Sequence, residues 1–122
     1  MKSRILFLQL AFVIFSFSAF AQYKFDSKKA EKLYYQLEEY YADADYQSIL
    51  DNQEAIENYY LGKSDTLAAL MNSFLGEAYI LWEGDVQTSL AYYQKELELR
   101  KVLQPDEDFR DLVYNLAVLH AE

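Results

Sequence analysis

The sequence contains few side chains that could carry out catalysis. It has one histidine, His120, and no cysteine that could act as a nucleophile. Three glycines are scattered through it and form no phosphate-binding loop. No Glu-x-x-His pair supports a di-metal carboxylate bundle. We therefore predict a protein that is not an enzyme, with no catalytic residues and no cofactor.

The acidic run Asp106-Glu107-Asp108 is the one stretch with a metal-like composition. Clustered carboxylates suit hard cations such as Ca²⁺. The run lacks the alternating ligand spacing and the turn glycine of an EF-hand loop. We interpret it as a solvated loop in which Asp108, with Asp111 three residues later, caps the helix that follows. No metal site is predicted.

The stretch from Leu75 to Leu103 organises the chain. Apolar residues recur at steps of three and four from Leu67 to Trp82, which places them on one helix face. A second series follows the turn at Gly84-Asp85 and comprises Val86, Leu90, Tyr93 and Leu97. The two faces predict two helices packed as an antiparallel hairpin.

Three further helices are predicted from the same periodicity and from capping signals. The first ends near Ala42, the second spans about Tyr46 to Leu61, and the fifth follows Pro105. Gly62 is expected to end the second helix in a left-handed conformation. The predicted helix-opening residues are Asp26 or Ser27, Asp45, Ser64 or Asp65, Asp85, and Asp108.

An internal repeat links these helices. Asp45 and Asp85 lie 40 residues apart, and each opens a helix after a short turn. Leu75 and Leu116 lie 41 apart, and each is followed by a small residue. Helix pairs with a period near 40 predict an all-α solenoid. Five helices make two pairs and half of a third.

The hairpin resembles a tetratricopeptide repeat (TPR) in its Leu75-Gly76, Tyr79, Gly84-Asp85, Ser89, Tyr93 and Leu97. The tail LELRKVLQPDEDFRDLVYNLAVLHAE is similar to the kinesin-light-chain type of this repeat. The resemblance extends over about residues 66–121 and is weaker over 28–61. It implies a TPR-like α-solenoid of antiparallel hairpins over residues 22–122, with about two and a half repeats and an incomplete third repeat.

The resemblance also implies a groove, lined by the first helix of each pair, that binds extended peptides or helices. Asn115 matches the Asn of the family's Asn-Leu-Ala motif, whose amide can pair with a peptide backbone as donor and acceptor. The groove residues implied are Leu70, Ser73, Glu77, Ile80, Asp111, Tyr114, Asn115 and Val118.

The sequence departs from the family pattern at two places. The spacing from Tyr79 to Gly84 is one residue longer than usual, which predicts an altered turn at Trp82 and Glu83. Glu96 stands where the family has a small packed residue. Because a buried unpaired carboxylate is costly, the helix that carries Glu96 is expected to be rotated or locally open.

Residues 1–21 have the pattern of a secretory signal peptide. Lys2 and Arg4 precede a short apolar run, and Ala19-Phe20-Ala21 provides a cleavage site before Gln22. The alternative is a membrane anchor, but the run is short for a span of about 20 residues. We predict a secreted or periplasmic protein with no stable membrane span after cleavage.

The exported part is strongly acidic. The leader holds two of the 11 basic residues and none of the 20 acidic ones, so residues 22–122 carry 9 − 20 = −11. This charge argues against nucleic-acid binding, which needs a basic surface. It favours solubility or a basic partner.

Two sets of residues suggest surfaces for a partner. Leu112, Val113, Leu116, Ala117 and Leu119 give the last helix more apolar surface than one neighbour covers. The expected outcomes are continuation in a longer protein, cover by another chain including self-association, or a loosely held helix.

The second set is four tyrosine doublets, in which one ring is expected in the core and the other nearer the surface. The doublets are Tyr34-Tyr35, Tyr40-Tyr41, Tyr59-Tyr60 and Tyr92-Tyr93.

From the signal peptide, the helical repeat and the groove that the resemblance implies, we expect an exported protein–protein interaction module that binds a peptide or partner protein in a TPR groove. The alternatives are a regulatory or sensor segment of a larger or multi-chain signalling assembly, a fragment of a longer solenoid, an enzyme of unrecognised type, and a helical bundle without a groove.

Overall fold

The computed structural model describes residues 23–121, and these are helical with no strand among them. The predicted leader, residues 1–21, lies outside the described part. The helices are α1 (Lys28–Ala42), α2 (Tyr46–Asp51), α3 (Gln53–Ile56), α4 (Thr66–Ala78), α5 (Val86–Leu103) and α6 (Arg110–His120). Two π-helical segments, Glu57–Leu61 and Tyr79–Glu83, extend α3 and α4. The all-α prediction is confirmed.

The predicted second helix is divided. Asn52 interrupts it with φ −100° and ψ 11°, which are not helical angles. The Asn52 side chain donates to the Ser48 carbonyl at 2.8 Å, so it competes with the helix for backbone groups. The expectation of one continuous helix from Tyr46 to Leu61 was therefore wrong.

Most predicted caps are confirmed. Ser27, Asp45, Asp65 and Asp85 each accept a hydrogen bond from the backbone N–H three residues later. The predictions for the last cap and for Gly62 were wrong. Asp108 accepts from the Arg110 N–H, two residues later, and Phe109 precedes α6 without a side-chain cap. Gly62 has φ −76°, which any residue adopts.

The turns before α2 and α5 share one geometry. Ala44 (φ 54°) and Gly84 (φ 67°) are left-handed, and each precedes a capping aspartate. Asp45 accepts the Ser48 N–H at 3.2 Å and its hydroxyl at 2.6 Å. Asp85 accepts the Thr88 N–H at 3.0 Å and its hydroxyl at 2.7 Å. The 40-residue spacing read from the sequence thus corresponds to a repeated turn.

The extra residue between Tyr79 and Gly84 is accommodated by the π-helical segment Tyr79–Glu83. A π turn takes one more residue than an α turn. The Gly84 N–H, five residues on, donates to the Tyr79 carbonyl, and the Asp85 N–H, six residues on, donates to the same carbonyl at 3.0 Å. The altered turn predicted at Trp82 and Glu83 is confirmed.

Helix α4 lies at the centre of the described chain, and every residue from Leu67 to Ala78 is buried. It pairs with α5 as the predicted antiparallel hairpin, because its start contacts Leu99 and its end approaches the start of α5. The two helices come close at Gly76, where the Ser89 hydroxyl donates to the Gly76 carbonyl at 2.7 Å. Helix α6 packs chiefly on α5.

The tyrosine doublets largely follow the expected division between core and surface. Tyr34, Tyr60 and Tyr93 are buried, and their neighbours are exposed or half-buried. Tyr40 and Tyr41 are both half-buried, and the Tyr41 ring stacks on Phe74 with centroids 4.8 Å apart. Burial of one ring per pair fits the divergence of neighbouring positions on a helix.

Candidate polar site in the helical core

Six polar residues on α4, α5 and α6 are buried in the helical core. Burial of so many polar groups requires either internal partners or a ligand. They are Ser73 and Glu77 on α4, Ser89, Glu96 and Arg100 on α5, and Asn115 on α6, and each residue is at most 4% exposed.

Glu77 is the centre of the first cluster. Its carboxylate accepts hydrogen bonds from the Tyr46 hydroxyl at 2.9 Å and the Tyr41 hydroxyl at 3.3 Å. Burial raises the pKa of Glu77 to about 7; the two tyrosine hydrogen bonds oppose this shift, and the charge of Glu96 adds to it. Burial in turn raises the pKa values of Tyr41 and Tyr46 above their usual range, so both stay hydrogen-bond donors at neutral pH.

Glu96 and Arg100 form the second cluster. The Arg100 Nε lies 2.6 Å from Glu96 Oε2, and both side chains are buried. Burial raises the pKa of Glu96, and the Arg100 charge and a hydrogen bond from it oppose that shift. The expectation of a rotated or locally open helix at Glu96 was wrong, because an arginine one turn later compensates the carboxylate.

Within residues 23–121, Asn115 lacks hydrogen-bond partners at both polar atoms of its side chain, whereas Ser73 and Tyr93 each leave one buried hydroxyl without a partner. Its side chain is 0% exposed, yet among the described residues neither Oδ1 nor Nδ2 has a hydrogen-bond partner. A buried unsatisfied donor or acceptor costs about 1–3 kcal/mol. Asn72, also buried, donates to the Ala68 carbonyl at 2.7 Å. The Asn115 amide is therefore a donor and an acceptor that the described chain does not use.

The predicted groove residues occupy two environments. Leu70, Ser73, Glu77 and Ile80 are buried in the packed α4 region, so in this structure they form no open surface. This corrects the expectation that they face an open groove, and the reason is that α4 is packed on all sides. On α6, Asn115 is buried, Tyr114 is 49% exposed, and Asp111 and Val118 are half-buried. The binding role of these eight residues stays a prediction.

Sequence reasoning missed three members of the site: Tyr41, Tyr46 and Arg100. A local signal exists for Arg100, because a Glu and an Arg four residues apart are neighbours on a helix. None exists for the tyrosines, whose partner Glu77 lies 36 and 31 positions further along.

Residues 23–121 contain no group of three or more carboxylate or histidine side chains placed to hold a metal ion. In the acidic loop, Asp108 pairs with Arg110 at 2.5 Å. Within the same range no helix combines the length and apolar character needed to cross a bilayer.

Comparison with known proteins gave no relative. No protein-family model matches the sequence, and no curated protein or solved structure is significantly similar to it.

Proposed function

We propose that this chain is an exported, non-enzymatic interaction module with TPR-like helical hairpins, and that it binds a peptide or partner protein. The observation that carries the proposal is the buried Asn115 amide without a partner among residues 23–121. A peptide backbone presents one N–H and one C=O per residue. The oxygen of an unpaired amide side chain can accept a hydrogen bond from that N–H, and its nitrogen can donate one to that C=O.

The repeat architecture is supported by the turns. The same left-handed residue and capping aspartate occur at Ala44-Asp45 and Gly84-Asp85. The close contact of Gly76 with Ser89 is the small-residue approach that a helical hairpin of this type needs. Both features are local, and neither depends on how the hairpins stack.

The surroundings of Asn115 favour a protein ligand. Tyr114 beside it is half exposed, and exposed tyrosines are frequent anchors at protein interfaces. Asp111 lies one turn earlier, and residues 22–122 carry −11, so a basic ligand would be attracted. Because α6 packs chiefly on α5, opening of this one contact is the simplest way for a ligand to reach the amide.

The test is selection of peptides from a random library on the purified exported protein, followed by calorimetric measurement of affinity. Asn115→Leu replaces the unpaired amide with an apolar group of similar size. We expect this variant to gain about 1–3 kcal/mol of stability and to lose at least tenfold in affinity. Asn72→Leu is the matched control and should lose stability, because its amide is already paired.

The two measurements together separate a binding role from a folding role. A loss of stability in Asn115→Leu would show that the amide serves the fold. Unchanged affinity in that variant, or failure to select any peptide, would contradict the proposed function.

A regulatory or sensor segment is the second candidate, and Glu77 favours it. Its carboxyl joins α1, α2 and α4 through Tyr41 and Tyr46, and its pKa is about 7. A group that changes charge near neutral pH at a junction of three helices can couple packing to the environment.

A further inference from the structure

The start of α1 is unusually basic for this acidic chain. Lys24, Lys28, Lys29 and Lys32 are exposed, and they are four of the nine basic residues outside the leader (11 − 2). Positive charges at a helix N-terminus oppose the helix dipole and lower stability. The stability of α1 therefore gives no reason for these lysines, whereas contact with an anionic surface would.

An exposed aromatic ring lies on the same face of α1. Lys28, Lys32 and Tyr35 are spaced by four and three residues, so they form one stripe along the helix. The Tyr35 side chain is 55% exposed. We call this stripe the basic face.

The region around α6 has the opposite character. Asp106 and Glu107 are exposed just before the helix. Val113 and Tyr114 are each 49% exposed and lie next to each other on the outer side of the helix. We call these four residues the acidic face.

The two faces are complementary in charge. Lys28 and Lys32 lie on the basic face, and Asp106 and Glu107 lie in the loop that leads into α6. With α1 and α6 side by side and parallel, lysines would meet the acidic loop while Tyr35 packed against Val113 and Tyr114. Four exposed lysines at the start of α1 outnumber the exposed Asp26 and Glu31, and the exposed Asp106, Glu107 and Asp108 before α6 outnumber Arg110. The two faces therefore have opposite net charge, and each also carries an exposed aromatic ring.

Within one copy the helices that carry the two faces pack on other elements. Helix α1 packs on α2, and α6 packs chiefly on α5. We propose that the basic face of one copy binds the acidic face of a second copy, so that copies associate head to tail. Because the surfaces differ, the contact is heterologous and can add further copies.

The first experiment is sedimentation equilibrium of the full exported protein over a range of concentrations. We expect an average mass that rises with concentration beyond a dimer. Tyr35→Asp and Tyr114→Asp should each abolish this rise. Mixed in equal amounts they should form a dimer that grows no further, since each variant retains one intact face. Val102→Asp, at a side chain 78% exposed on α5, is the matched control and should associate like the parent chain.

Charge reversal tests the electrostatic part. Lys28→Glu with Lys32→Glu should weaken association at least tenfold, and adding Asp106→Lys with Glu107→Lys to the same chain should restore it. Raising the salt from about 0.15 to 1 M shortens the Debye length to about 3 Å, so it should weaken the parent association. Circular dichroism of every variant checks that the helices are retained.

Three results would overturn the proposal. One is a monomer at all concentrations, including the case in which only a different basic protein binds α6. Another is a closed dimer that is lost in Tyr114→Asp but kept in Tyr35→Asp. The third is failure of the two single variants to combine on mixing. Peptide binding is measured separately with Asn115→Leu, because Asn115 is buried and belongs to neither face.

Discussion

The Tyr46 hydroxyl donates a hydrogen bond of 2.9 Å to the Glu77 carboxylate, although the two residues are 31 positions apart. Tyr41 donates to the other oxygen of the same carboxylate. One buried carboxyl group on α4 therefore connects α1 and α2 to the central helix. Its ionisation changes the free energy of both hydrogen bonds at once.

We predict that stability falls as the pH rises through neutrality. The folded-state pKa of Glu77, about 7, exceeds the ordinary value of 4.5, so the native state holds a proton that the unfolded state has lost between these values. The contribution is fully present below pH 4.5 and is lost as the pH rises through 7. The loss amounts to about 3 kcal/mol.

Urea unfolding at pH 5, 6, 7 and 8 measures this effect. Glu77→Gln should remove most of the decline, so that its stability exceeds that of the parent protein most at pH 8. Glu39→Gln, at an exposed position of α1, controls for the change in net charge. Parallel pH profiles for Glu77→Gln and the parent would show that Glu77 does not titrate in this range.

We predict that Gly76→Ala destabilises the protein, although alanine is the better helix former. A Cβ at Gly76 would lie 2.7 Å from the ring of Tyr93, which is fully buried, so the ring or the helix backbone would have to shift. Overpacking of this kind costs about 1–3 kcal/mol, which outweighs the gain of about 0.5–1 kcal/mol in helix propensity. Chemical denaturation measures the difference.

Gly62→Ala is the control for that substitution. No atom lies within 4 Å of the added carbon, and φ is −76°. Alanine should therefore raise stability there by about 0.4–1 kcal/mol through the unfolded state. Equal effects at the two glycines would mean that the contact between Gly76 and Tyr93 is looser than described.

The two equivalent turns should respond to substitution in opposite directions. Ala44 holds φ 54°, which costs a residue with a Cβ about 1–2 kcal/mol, whereas Gly84 adopts φ 67° without that cost. Ala44→Gly should raise the midpoint of thermal unfolding, and Gly84→Ala should lower it. No atom lies within 4 Å of a Cβ at Gly84, so the effect there is one of backbone conformation. A lowered midpoint for Ala44→Gly would contradict the shared geometry.

Local features were the ones that sequence reasoning predicted correctly. The caps at Asp45 and Asp85 and the altered turn after Tyr79 depend on residues within one or two turns of each other. The same reasoning failed at Asn52 and Gly62, whose types are compatible with more than one backbone conformation. At those positions the surrounding packing selects among alternatives that the residue type leaves open.

The candidate site was only partly predictable. Asn115 was identified by its place in a motif, but the absence of a partner for its buried amide is a property of the packed helices. Glu96 was expected to disturb its helix, and Arg100 one turn later resolves that conflict. The spacing of four residues places Glu96 and Arg100 side by side on the helix. The spacing does not reveal that both side chains are buried, which is why they need each other as partners.

By itself, the sequence determined that this chain forms amphipathic helices, where most of them begin, and that two of its turns are alike. These properties depend on periodicity and on hydrogen bonds between near neighbours. Only the tertiary structure decided that α4 is buried along its whole length, and that Glu77 meets tyrosines from two other helices. Such contacts join residues more than 30 positions apart, and the free energy of burial depends on which helices surround a side chain rather than on its neighbours in the chain.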